Sequence, residues 1–452
     1  MLIDLDDRTI VTSFKQDLSN FTFIRPSDIV DISTQLDVLA DLPVRQGRRT
    51  PYSRLQKTEA AIWLWGHFTK RALNSITANT RGYHKLSAYF KHYAHYENVL
   101  FSVDENHRDH VIHSIWVMMI GFYLSKQCRP LSHLSYHSLS SDLSQQSQSM
   151  QKARDILLTY ENALWTLVFL THDLGYPIQK TTIANEVMSK MISNFGFLTH
   201  TDFSYQFNVL HQTAIDELLN TLSTVLIWFP GGRYKLGLMP GYRLDYSKTL
   251  EQFDHGIMSA YLIQRYLDFI CDTMSWFRQI PEYYEQDSYD AALRVLIIEW
   301  LCAISDHTND NRYFDDLNDI SVLLIISDEL DEFSRFAHSK TRDTWVAVKC
   351  KPSINCTKYS LDFVYKSRNM TLDDTLSFFR SKLLRLIDLL DLNRDSIRKI
   401  SIKCINSSSI PHNNVTYYYE KRLDSVDGFV KKLRGESTND VRGFLSGAVN
   451  LR

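Results

Sequence analysis

The chain has 452 residues, 44% of them apolar and 23% charged, with a formal net charge of −2. That length exceeds what one compact core accommodates and predicts two or three domains. The near-neutral balance excludes proteins that hold nucleic acid or anionic membranes through bulk charge, and no run approaches the ~20 apolar residues of a membrane helix. The 24 Tyr and 24 Phe are scattered without period and read as core packing. Six cysteines, at 128, 271, 302, 350, 356 and 404, form no Cys-x-x-Cys pair, which fits buried, reduced thiols. The acidic start Met1–Asp7 lacks the basic and apolar stretches of a signal peptide, so a cytoplasmic protein is expected.

In chain order, residues 1–104 read as a helical extension, with apolar positions at helical spacing in Ala60–Phe68 and Tyr83–Leu100. Glu105–Lys126 is a strong helix, in which Val111, Ile115, Met118, Met119 and Phe122 recur at three- and four-residue steps. Ser132–Ser149 is rich in Ser, Gln and His and reads as a loop. A second strong helix is expected over Gln151–Asp173, followed by helices at 181–194 and 206–227. The Gly/Pro-bearing segments Pro230–Lys235 and Leu238–Arg243 read as loop. Helical periodicity returns over Asp254–Met274, Ser288–Ile304 and Val322–Phe336. Beyond about 340, alternation in Thr344–Cys350, Tyr359–Tyr365 and Ile397–Ile405 brackets an amphipathic helix, Leu372–Leu392. Two strands, a helix and one or two more strands predict a small C-terminal α+β domain over 341–452.

Chemistry concentrates in His-Asp combinations. His172-Asp173 follows the apolar run Leu164–Leu170, and a carboxylate carried into a core needs a cation or a cleft. His110 and His113 lie one turn apart on the Glu105–Lys126 helix. Asp254-His255, Asp306-His307 and Asp328-Glu329 complete the series at helix ends and inner faces, from where they can converge on one polar cleft of a bundle.

This order resembles the HD superfamily of metal-dependent phosphohydrolases, whose pattern is a His, a His-Asp doublet and a distal Asp. His113-Ser-Ile-Trp-Val is similar to the first motif, His172-Asp-Leu-Gly to the doublet, and Leu323-Leu-Ile-Ile-Ser-Asp328 to the last. The resemblance spans residues 105–340. It implies a mostly α fold: an HD-type helical-bundle core, with the N-terminal helical extension and the small C-terminal α+β domain outside it. It also implies His113, His172, Asp173 and Asp328 as metal ligands. His255 and His307 stand where cyclic-nucleotide and HD-GYP-type phosphodiesterases carry extra histidines. Tyr176 stands where HD-GYP proteins usually have Lys, and their paired His-His is here Asp306-His307.

The expected activity is hydrolysis of a phosphoester or phosphoanhydride of a nucleotide at a binuclear site. Alternatives are a mononuclear nucleoside-triphosphate triphosphohydrolase and a non-catalytic nucleotide-sensing module that signals to a partner. Mixed imidazole and carboxylate ligands suit two divalent ions of Mn, Fe, Zn or Ni, with Mg less favoured. Asp173 is the natural bridging group, and protonated His110 a candidate acid for the leaving group. Arg108, Arg233, Lys235 and Arg243 are candidates for holding substrate phosphates. The C-terminal domain is left to mediate a homo-oligomer or a protein partner. His84, His92, His95, His133, His137, His200 and His211 read as ordinary histidines, and Glu299, Asp306, Glu329 and Asp331 as surface or capping acids.

Overall fold

A computed structural model describes residues 2–42, 52–103, 109–131, 148–193, 207, 209–229, 233–275, 288–310, 312–314, 317, 319–331, 336–337, 346–347, 350–357, 359–368, 370–392, 398–407, 415–422, 429–432 and 436–438. The helices are α1 (Asp7–Asp17), α2 (Ile29–Leu39), α3 (Arg54–Ile76), α4 (Tyr83–Val103), α5 (His110–Gln127), α6 (Gln148–Thr171) and α7 (Tyr176–Ser193). They continue with α8 (Val209–Leu222), α9 (Pro240–Glu251), α10 (His255–Tyr266), α11 (Asp268–Ser275), α12 (Ser288–Asp306), α13 (Ile320–Leu330) and α14 (Leu372–Leu389). The strands are β1 (Ile3–Asp4), β2 (Thr224–Phe229), β3 (Arg233–Leu238), β4 (Tyr313–Phe314), β5 (Phe336–Ala337), β6 (Val346–Ala347), β7 (Cys350–Thr357), β8 (Ser360–Arg368), β9 (Asp391–Leu392), β10 (Lys399–Ser407), β11 (Val415–Arg422), β12 (Phe429–Lys432) and β13 (Glu436–Thr438). The protein is thus a mostly α core with a small C-terminal α+β region. Among the described residues no helix is long and apolar enough to cross a membrane.

Two compact units account for the chain: a helical one, Asp17–Met118 with Tyr136–Asn309, and one built around a sheet, Met1–Gln16, Met119–Ser135 and Asp310–Arg452. At the centre of the helical unit α6 packs on α12 and on α3, and α12 on α10. The reason lies in composition. Ala163–Leu170 of α6 and Leu296–Ile304 of α12 are buried on every side, so neither stretch turns a face to water. Two indoles then pin the end of α6: Trp65 Nε1 of α3 donates to the Leu170 carbonyl (2.6 Å), and Trp300 Nε1 of α12 to Thr171 Oγ1 (3.0 Å). The residues that follow, His172 and Asp173, are thereby held in place from two sides.

In the other unit a seven-stranded sheet runs β1-β7-β8-β10-β11-β12-β13. Its pairs are antiparallel except β8 with β10, which α14 connects as a crossover. Leu361, Phe363 and Tyr365 of β8 alternate with half-buried Asp362 and Val364. The α14 face buries Phe379, Leu383 and Leu386, and Phe379 stacks on Tyr417 of β11 with ring centroids 5.6 Å apart. The sheet takes in β1 from the other end of the chain, where Asp4 accepts from Ser353 Oγ (2.6 Å).

Several local expectations change. The helix expected over 206–227 ends at Leu222, and Thr224–Phe229 pairs with Arg233–Leu238 as a hairpin, because β-branched and aromatic residues favour a pleated pair. Pro240 starts α9 and Pro177 lies in the first turn of α7, positions where a missing N–H breaks no helical bond. The single helix expected over Asp254–Met274 breaks at Leu267, whose backbone is extended, and restarts on Asp268. Residues 132–147 and 230–232 lie outside the described ones.

Candidate metal centre

The residue at the centre is Asp173, whose two carboxylate oxygens face different pairs of imidazoles. Oδ2 lies 3.3 Å from His172 Nε2 and 3.8 Å from His113 Nε2. Oδ1 lies 3.4 Å from His255 Nε2 and 3.8 Å from His307 Nε2. Two groups therefore share Asp173, His113–His172–Asp173 and Asp173–His255–His307, and within each the ligand atoms lie within 4.8 Å of one another. The ring centroids of His172 and His307 are 5.1 Å apart, as are those of His255 and His307.

The distal ring nitrogens set the tautomers. His172 Nδ1 donates to the Phe169 carbonyl (2.8 Å), His307 Nδ1 to the Ile304 carbonyl (2.7 Å), and His255 Nδ1 to Gln179 Oε1 (3.0 Å). With Nδ1 carrying the proton, a neutral ring turns the lone pair of Nε2 toward Asp173. Acceptor then faces acceptor unless a cation lies between. His172 Nε2 is fully buried and bonds no other group. This donor set could hold a metal ion: two ligands each ~2 Å from one ion sit roughly 3–3.5 Å apart, close to the separations here.

Helix ends frame the cluster. The ligands His172 and His307 directly follow the C-termini of α6 and α12, ends whose partial negative charge favours a cation. Helices α5, α7 and α10 begin on His110, Tyr176 and His255. Tyr176 stacks on His110 (3.7 Å between centroids) and meets His255 edge-on (5.6 Å), so three positive helix ends lie side by side.

Two glycines allow α10 to come this near. A Cβ on Gly175 would meet the His255 carbonyl oxygen at 2.3 Å, and one on Gly256 would meet Thr308 Oγ1 at 2.5 Å and the Ile304 carbonyl oxygen at 2.6 Å. Ser259 completes the seam, accepting from Gly175 N (2.7 Å) and lying 2.6 Å from the His172 carbonyl oxygen. Asp254 caps α10 through Gly256 N (3.0 Å) and accepts from the Thr308 hydroxyl.

The structure brings His113, His172, Asp173, His255 and His307 together, with His110 beside them. It places Asp328 in the sheet unit, where its carboxylate accepts from Arg385 (2.9 Å); Asp328 belongs to neither ligand group. Arg243 is engaged by Asn220 (2.9 Å) and Asp216 (3.2 Å) of α8, and Lys235 is exposed on β3. Arg108 and the Arg233 side chain lie outside the described residues. Of Glu299, Asp306, Glu329 and Asp331, expected as surface or capping acids, none is at the surface: all four are buried, and Asp331 stands at the C-cap of α13. Asp306 accepts from the Tyr246 hydroxyl (2.7 Å), and Glu329 pairs with Lys382 (2.8 Å).

Sequence reasoning missed Glu97. This α4 carboxylate is 1% exposed and accepts from the backbone nitrogens of His110 (2.6 Å) and Val111 (3.2 Å), and lies 3.1 Å from His110 Nδ1. Burial, then the charge of Asp109, pushes its carboxyl well above the usual range. A signal was present, since Glu97 continues the buried stripe Leu86, Phe90, Tyr93, where an acid is out of place. Gln179 and Ser259 carried no such signal.

Comparison with family models, curated proteins and solved structures gives no match for this chain.

Proposed function

We propose that the chain is a metal-dependent phosphohydrolase that holds two divalent ions and cleaves a phosphoester or phosphoanhydride of a nucleotide. The observation that carries this reading is the division of Asp173, one oxygen toward His113 and His172 and the other toward His255 and His307. A carboxylate shared by two histidine pairs suits a bridging ligand, and four imidazoles favour Mn, Fe, Zn or Ni over Mg. Bound ions of this kind stabilise charge on phosphoryl oxygens and acidify a water molecule.

The protein supplies the rest. His110, oriented through Nδ1 by Glu97 and braced by the Tyr176 ring, is placed to hold a proton on Nε2 for a leaving oxygen. His172, Asp173 and their pinned turn provide ligands whose orientation is settled before substrate arrives.

The test is elemental analysis of the wild type and of a His172→Ala/Asp173→Ala variant, combined with a screen of phosphodiester and nucleotide substrates. Close to two ions per chain, lost in the variant together with turnover, is the expected result. One ion per chain would move the reading to a mononuclear nucleotidase. Absence of metal after supply of Mn would overturn the hydrolase reading and favour the sensing module.

A further inference from the structure

Phe253, two residues before the candidate ligand His255, holds its φ at 52°. That is the left-handed region, where a Cβ crowds the following carbonyl and where glycine is the usual residue. Among the described residues the other non-glycine there is Asp41, a type that enters the region more readily than a bulky aromatic. The conformation has a local origin in the end of α9. Phe253 N donates to the Leu250 carbonyl (3.0 Å) and Asp254 N to the Thr249 carbonyl (3.4 Å), so the left-handed turn satisfies two carbonyls of the last helical turn. A glycine would make the same turn without strain. The ring of Phe253 must therefore offset that strain through what it touches.

It stacks on Phe207, with 5.5 Å between centroids and 21° between planes, and Phe207 meets Tyr261 of α10 edge-on at 5.5 Å. The link between α9 and α10 is thus clasped against the side of α10 itself, which fixes the direction in which the chain enters that helix. A second set of contacts ties the same link to the other histidine of this half. Tyr246 of α9 donates to Asp306, the residue before His307, at 2.7 Å. Thr308, the residue after His307, donates to Asp254, the residue before His255. His255 and His307 are cross-braced through their neighbours in sequence. The two rings differ in one respect: Nδ1 of His307 is set by a backbone carbonyl, whereas Nδ1 of His255 is set by the side chain of Gln179. A ligand oriented by a side chain depends more on where its own backbone sits.

We propose that Phe253 is a positioning residue for the metal centre: its strained turn, held by the Phe207 stack, sets the place of the His255 imidazole and so the affinity of the Asp173–His255–His307 group for its ion. The assignment rests on the binuclear reading and gives the two ions unequal supports. The His113–His172 group is built on α5 and the end of α6, remote in sequence from this turn. Phe253 acts through His255 and not on the substrate.

The experiment titrates metal-free full-length protein with Mn and counts free and bound ions by electron paramagnetic resonance. Wild type, Phe253→Gly, Phe253→Tyr and Phe207→Leu are compared, with melting temperatures recorded on the same metal-free samples. In Phe253→Gly one ion should bind as in wild type and the other about 10- to 100-fold more weakly. Its melting temperature should stay within about 4 °C of wild type, because relief of the strained backbone offsets the lost ring contact. Phe207→Leu should weaken the same ion, and Phe253→Tyr, which keeps the stack, should bind both ions as wild type does. Unchanged affinity in Phe253→Gly or Phe207→Leu overturns the assignment and leaves the binuclear reading standing. Equal weakening of both ions, or a larger fall in the melting temperature of Phe253→Gly, marks a general loosening of the fold and also overturns it, as does failure of Phe253→Tyr to retain the second ion. A wild type that takes up fewer than two ions removes the binuclear reading and the positioning role together.

Discussion

Glu97 and His110 are joined twice: the carboxylate accepts from the His110 backbone nitrogen at 2.6 Å and lies 3.1 Å from the ring Nδ1. One acid thereby starts α5 and orients the side chain proposed to serve as a proton donor.

That double role predicts a pH signature in stability. Burial and Asp109 raise the Glu97 carboxyl above its unfolded value, so the folded chain holds more protons than the unfolded one between those two values. The contribution of Glu97 to stability is therefore greatest in acid and is lost as pH rises through that window. Urea midpoints measured from pH 4 upward should fall more steeply for wild type than for Glu97→Gln. Parallel curves for the two proteins would show that Glu97 titrates normally.

His110→Asn should lower kcat by about 10²- to 10⁴-fold, the usual contribution of a positioned acid. Metal content should not change, because His110 belongs to neither ligand group. Steady-state kinetics alongside elemental analysis separates this outcome from loss of the site.

Metal should stabilise the folded chain by mass action, about 2.7 kcal/mol when free metal is a hundredfold above its dissociation constant. Adding a chelator should thus lower the melting temperature of wild type. The same chelator should leave His172→Ala nearly unmoved. Equal shifts in the two proteins would place the bound ion elsewhere.

Gly256→Ala should destabilise by about 1–3 kcal/mol, since the new methyl meets Thr308 and the Ile304 carbonyl. The damage should fall on the His255–His307 half of the centre, leaving fewer ions bound while the His113–His172 half keeps its share. Denaturation and metal analysis of the same preparation read both effects.

In the sheet unit, Lys382 donates to the Glu329 carboxylate at 2.8 Å and to its carbonyl at 2.7 Å, with both side chains nearly inaccessible. Lys382→Met should cost about 3–5 kcal/mol by leaving Glu329 buried and undercompensated. The double variant Lys382→Met/Glu329→Leu should recover most of that loss. Arg385, 40% exposed beside Asp328 and Glu329, should matter far less, at most ~1 kcal/mol.

Much of this protein was legible in one dimension because periodic burial and ligand chemistry are local properties. The largely apolar stretches of α6 and α12 announced buried central helices, and the amphipathic Leu372–Leu392 segment announced the helix α14 that covers the sheet. His113, His172, Asp173, His255 and His307 stood out because imidazole and carboxylate at the ends of apolar helices are costly without a cation. What only the tertiary structure decided depends on which distant segments meet. Glu97 of α4 reaches both the backbone and the ring of His110 on α5. Gly175 and Gly256 matter only because α10 comes to rest on the doublet's turn. Asp328 shows the reverse: its sequence context resembles a metal ligand, yet Arg385, distant in sequence, supplies its counter-charge. A residue's type states which partner it needs, and the packing of α4, α7, α10 and α14 determines which partner it receives.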